Sequence, residues 1–92
     1  MANTYSLRIV ATAWRELKQL PRPIQNRIRR AIRHLALDPR RPGAKPLAGT
    51  RPERIWRMRV ADYRILYEIH DDRLVVLVIR VAHRREAYRN ER

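Results

Sequence analysis

The sequence predicts an α+β domain in the order β-α-α-β-β-β, a twisted and mostly antiparallel sheet with an N-terminal helical hairpin packed on one face. Three observations carry this. Apolar residues at helical spacing are confined to residues 12–37. Period-two alternation then sets in at residue 54 and runs through two consecutive segments. A nearly unbroken apolar run comes next, at residues 74–81, which suits a central strand covered on both faces. No internal repeat or low-complexity tract interrupts the pattern, and 92 residues suffice for one domain, 1–92, with a modest core.

Residues 5–10 read as the first strand, with Tyr5, Leu7 and Ile9 on one face. Thr12 is placed to cap a short helix that carries Trp14, Leu17 and Leu20 at helical spacing. Pro21 and Pro23 interrupt it. Pro23 suits the first turn of a second helix, where its missing N–H is no loss. That helix runs to about residue 37 with an apolar stripe of Ile24, Ile28, Ala31, Ile32 and Leu35. Its opposite face carries Arg22, Arg27, Arg29, Arg30 and Arg33. Asp38-Pro39 ends it, and residues 39–52 read as a long loop rich in Pro and Gly. In residues 54–60, Trp56, Met58 and Val60 share one face, with Ile55, Arg57 and Arg59 on the other. Ala61-Asp62 turns the chain into residues 63–69, where Tyr63, Ile65, Tyr67 and Ile69 oppose Arg64, Leu66 and Glu68. Asp71-Asp72 turns it again into the apolar run, and the polar tail from His83 leaves the sheet. Tyr63, Tyr67, Trp14 and Trp56 fall to the core, His34 to the surface, and His70 to a structural role beside a turn. The sheet face away from the helices then gathers arginines from successive strands.

The charge narrows the function. The formal net charge is +13, and of the 22 basic residues all but Lys18 and Lys45 are arginine. A guanidinium is a planar, permanently charged fork that grips phosphate oxygens at two points and stacks on bases, so the expected partner is a polyanion. A hydrophobic content of 45% is too high for a disordered basic tail. The absence of cysteine excludes a disulfide scaffold, a thiol nucleophile and thiolate zinc sites, and three scattered histidines do not form a metal site. No cofactor is expected. No apolar run approaches the roughly 20 residues that span a membrane, and the first residues lack a signal-peptide pattern, so the expected location is the cytoplasm.

Three segments carry a family resemblance: LALDPRRPGAKPLAG at the end of the second helix, WRMRVADYRILYEI across a strand, turn and strand, and VLVIRVAHRREAYR at the last strand and tail. In this order and spacing, over nearly the full chain, the sequence resembles the RelE/ParE superfamily of toxins from type II toxin–antitoxin systems. The resemblance implies one of two activities. RelE-like members enter the ribosomal A site and cut messenger RNA through the 2′-hydroxyl, leaving a 2′,3′-cyclic phosphate and a 5′-hydroxyl. ParE-like members poison DNA gyrase. The positions that match the catalytic pattern are Arg57 and Arg59, Arg64, Arg84 and Tyr88, while His83 matches a position that is histidine in some relatives. The presence of Arg84 and Tyr88 favours the ribonuclease branch. A small acidic antitoxin, bound in a hetero-oligomer, is the implied protein partner.

The chemistry fits these residues without a metal. In-line attack at phosphorus places negative charge on nonbridging oxygens, which Arg64 and Arg84 are expected to stabilise. Arg57 and Arg59, two apart on one strand, would clamp flanking phosphates, and Tyr88 would stack on a base. Arg27 and Arg30 are expected to hold ribosomal RNA backbone. Proton transfer is the open step. Where some relatives carry lysine on that strand this chain has arginine, a poor general base, which leaves His83 first and Glu68 or Glu86 behind it. Each assignment has a plainer competitor: Arg64 paired with Asp62 or Glu68, His83 ending the last strand, Tyr88 packed on the core. A non-catalytic nucleic-acid-binding domain is the third functional reading.

Overall fold

In the computed structural model, residues 4–47 and 55–83 are described. The elements are β1 Ser6–Ile9, α1 Ala11–Lys18, α2 Arg22–Leu37, β2 Lys45–Pro46, β3 Ile55–Val60, β4 Tyr63–His70 and β5 Val75–His83. The strands form one sheet in the order β1-β5-β4-β3-β2, antiparallel except for the parallel pair of β1 and β5. No helix among the described residues is long and apolar enough to cross a membrane.

The helical stripes pack as their spacing requires. Leu17 of α1 and Ile28, Ile32 and Leu35 of α2 meet Met58, Ile65, Tyr67, Val76, Val78 and Val81 in one cluster. Each large side chain buried there contributes about 1.5–3 kcal/mol relative to exposure. The helices therefore cover the sheet face that carries the odd-numbered residues of β4. The opposite face carries Arg64 and Leu66, which are 5% exposed, and Ala82, which is 4% exposed.

The structure corrects three expectations and adds a feature that the spacing does not give. Helix α1 begins at Ala11 with Val10 at the cap position and no side-chain cap, so Thr12 lies inside the first turn. The reason is continuity: the Val10 N–H still bonds the Val78 carbonyl at 3.0 Å while its own carbonyl accepts from Trp14 at 3.0 Å. The stretch read as a loop contains β2, in which Lys45 pairs with Arg57 and Pro46 with Trp56. Proline is tolerated there because β2 is an edge strand. The apolar strand β5 is interior, but β4 is the middle strand, and β5 runs on to His83. Finally, β5 is bulged: the pairing steps from Leu66–Arg80 to Tyr67–Val78, which leaves Ile79 unpaired and reverses the parity of residues 80–83.

Beyond Val78 the parallel partner of β5 ends, and α1 takes its place. Glu16 Oε1 accepts from the Val81 N–H at 2.8 Å, and Glu16 Oε2 accepts from the Arg80 guanidinium at 2.7 and 2.9 Å. A second set of bonds ties the loop after α2 to the sheet. The Tyr67 hydroxyl donates to the Pro39 carbonyl at 2.7 Å, and burial pushes its pKa up to about 12. Arg40 donates twice to Asp71, at 3.1 and 2.8 Å, and Tyr5 donates to the same carboxylate at 2.6 Å. Those bonds, from Arg40 first and then Tyr5, hold the Asp71 carboxyl down at about 2. Arg40 also lies 5.4 Å over the Trp56 ring, so this half-buried tryptophan is roofed by a cation.

Candidate functional site

The pleat and the register build the site. Side chains opposite one another on paired strands share a face, and neighbouring strands lie about 4.8 Å apart. On the face away from the helices, one row across the sheet is Lys45, Arg57, Leu66 and Arg80. The adjacent row, about 7 Å along the strands, is Arg59, Arg64 and Ala82. Buried Leu66 and Ala82 give the rows an apolar floor from which the basic groups rise.

Gly43, Lys45, Arg57, Arg59 and Arg64 line a cleft of about 190 Å³. That is below the usual range for drug-sized ligands and fits a small anionic group rather than a whole nucleotide. None of these described lining residues is acidic. Glu68, one of the two carboxylates weighed as a plainer partner for Arg64, lies within 2.8 Å of the His70 ring. Arg64 is buried, Arg57 half-buried, and Arg59 and Lys45 exposed, so the cleft grades from a fixed cation at its base to solvent-exposed ones at its rim. Like charges placed opposite each other across paired strands oppose folding. Four of them around one cleft create a field that an anion would relieve.

The sequence-predicted site residues separate into three groups. Arg57, Arg59 and Arg64 come together. His83 does not join them: it is opposite Tyr63, in the parity of Ile65 and Tyr67, and its ring meets the Tyr63 ring edge-on at 5.5 Å between centroids. The bulge at Ile79 produces this orientation. Arg27 and Arg30 are exposed on the outer side of α2, across the molecule from the cleft. Arg84, Glu86 and Tyr88 lie outside the described residues.

Two lining residues, Gly43 and Lys45, are not singled out by sequence reasoning. Gly43 has φ +98, a backbone state that glycine alone adopts freely, in a turn where the Ala44 N–H bonds the Arg41 carbonyl at 2.9 Å. That turn delivers Lys45 to the edge of β3. The available signal is that Lys45 is one of only two lysines among twenty-two basic residues, in a segment whose prolines and glycine read as loop.

Comparison with known proteins agrees with this architecture. Residues 7–88 match the family described as ParE toxin of type II toxin–antitoxin system, parDE. Toxin RelG of Mycobacterium tuberculosis is 36% identical over 89 residues, which is 92% of this chain and 97% of that protein. The toxin–antitoxin complex RelBE2 of Mycobacterium tuberculosis contains a chain 34% identical to this one, with a TM-score of 0.74 and coverage of 87% and 98% of the two chains. The isolated RelE toxin of E. coli shares the fold at a TM-score of 0.74 and 22% identity, covering 96% of this chain and 99% of that one. A family match along most of the chain, a relative with over a third of its residues identical, and a common fold together make this protein a member of the RelE/ParE superfamily of type II toxin–antitoxin toxins.

Proposed function

We propose that this toxin is a ribosome-dependent messenger RNA endonuclease that inhibits translation. The observation that carries the reading is the convergence of Arg57, Arg59, Arg64 and Lys45 on one cleft with no acid among its described lining residues. In the reaction the RNA 2′-oxygen attacks the adjacent phosphorus and the bond to the 5′-oxygen breaks, giving a 2′,3′-cyclic phosphate and a 5′-hydroxyl. Arg64 is buried, so its charge is already oriented when the nonbridging oxygens gain negative charge. Arg57 and Arg59 hold the flanking phosphates, and the family resemblance assigns Arg84 and Tyr88 to the same reaction. The RelBE2 relative is a toxin–antitoxin complex, which supports a cognate antitoxin for this chain as well. An acidic antitoxin segment would compete with RNA for the same charge.

The family match is described by the ParE toxin, and it favours a second reading as a DNA gyrase inhibitor without nuclease chemistry. Expression in growing cells separates the two when read by primer extension on a translated reporter and by a supercoiling assay. Cuts within translated codons are expected, with supercoiling unchanged. Replacing Arg64 by Lys, which preserves the buried charge and loses the guanidinium fork, should lower cleavage by about 10²-fold, the usual cost of one oxyanion-stabilising donor. Intact transcripts together with damaged or relaxed DNA would overturn the nuclease reading.

A further inference from the structure

The nuclease reading, on which this inference rests, assigns the proton of the attacking hydroxyl to none of the arginines described in the cleft. Arg57, Arg59 and Arg64 are suited to hold phosphate oxygens, but a guanidinium does not give up its proton at working pH and so cannot take another. His83 is turned to the helix side of the sheet against Tyr63. Glu68 shares the arginine face but lies two rows from Arg64 and is engaged by His70. Among the described side chains that line the cleft, Lys45 alone carries an amine, the one functional group there of a type that serves as a general base.

Its position suits the task. Lys45 is opposite Arg57 and one row from Arg59 and Arg64, so it borders the space where a phosphate between those arginines would sit. It is exposed on the outermost strand, where an incoming ribose can reach it. The Gly43 turn and the bond from the Leu47 N–H to the Ile55 carbonyl, at 2.7 Å, fix the strand on both sides of it.

We infer that Lys45 is the general base of this toxin. Its neutral amine takes the 2′-hydroxyl proton as the 2′-oxygen bonds to phosphorus. The bond to the 5′-oxygen breaks, and that oxygen leaves with a proton from water. The ammonium then returns its proton to solvent. Lys45 is thus a catalytic residue whose function depends on losing a proton, unlike the three arginines beside it.

The test is single-turnover cleavage of messenger RNA on programmed ribosomes by the wild-type toxin, Lys45→Arg and Lys45→Ala, at one pH. Both variants should lose about 10²-fold or more in rate, the usual contribution of general base catalysis. Lys45→Arg keeps the charge, so its binding to a message with a 2′-deoxy nucleotide at the cleavage site should stay within about threefold of wild type. Small primary amines added to Lys45→Ala should restore at least about tenfold of the missing rate, and more basic amines should restore more. Cleavage by Lys45→Arg near the wild-type rate would show that charge alone suffices and would overturn the assignment. So would a Lys45→Ala variant that ignores added amines. A wild-type toxin that cuts no message while altering DNA topology would remove the nuclease reading and this inference with it.

Discussion

Asp71 shows how much one exposed carboxylate can organise. It accepts two bonds from Arg40 and one from Tyr5, which joins the loop after α2, the β4–β5 turn and the start of β1. Its pKa is lowered from 3.8 to about 2, through the Arg40 bonds first and the Tyr5 bond second. A lowered folded-state value means that the ionised form is the one folding favours. Its contribution is therefore complete above the unfolded-state value near 4 and disappears as the pH falls through 2. The side chain is 55% exposed, so solvent screening keeps the effect small. Thermal melts between pH 7 and 2 should show Asp71→Asn less stable than wild type at neutral pH, with the two curves converging below pH 4. Parallel curves would mean that the cluster is geometry without energy.

At the scale of elements, two turns test how backbone conformation supports the site. Ala61 and Leu74 have φ of 53 and 55, values at which a side chain costs about 1 kcal/mol or more, while Gly43 occupies such a state with ease. Among the described residues a Cβ at Gly43 would meet Met58, whose Sδ would be 3.5 Å away, an ordinary distance, so the penalty there is conformational rather than steric. Gly43→Ala should lower the midpoint by about 4–8 °C and Ala61→Gly should raise it by a similar amount, as read by circular dichroism. The same elements explain what the sequence could reveal. Helices and long strands announce themselves because each buries a periodic stripe. That is why α2 and the alternation of β3 and β4 are legible, and with them the shared face of Arg57, Arg59 and Arg64. Strand β2 is two residues long and has no period of its own. It exists through pairing with β3, so Lys45 reads as loop. The bulge at Ile79 lies in an apolar run that reads alike in either parity, so spacing cannot give the direction of His83.

Across the whole molecule, the +13 charge is divided between surfaces with different duties. The cleft places its cations over an apolar floor at short range from one another, which is the arrangement that stabilises charge developing at a fixed point. The outer side of α2 presents exposed Arg22, Arg27, Arg29, Arg30 and Arg33 on the far side of the sheet. Among these, Arg29 has a structural duty: together with Lys18 of α1 it covers the half-buried Trp14 ring, at 5.1 and 5.3 Å respectively. Arg27 and Arg30 are too distant to touch a phosphate in the cleft. Their contribution to nucleic-acid binding would be counterion release, which carries a measurable signature. Removing one phosphate-neutralising cation from a complex with single-stranded RNA should reduce the slope of log affinity against log salt by about 0.7. Replacing Arg27 and Arg30 by Ala together should flatten that slope by about 1.4 units, as measured by fluorescence anisotropy on an RNA oligonucleotide between roughly 50 and 300 mM salt. The cleavage rate of the fully bound complex should be unchanged. Replacing Arg57 and Arg59 should change both quantities, because those groups touch the phosphates whose chemistry they serve. An unchanged slope in the α2 variant would confine RNA binding to the cleft face and leave the helix charge free for a different polyanion, such as an acidic protein segment.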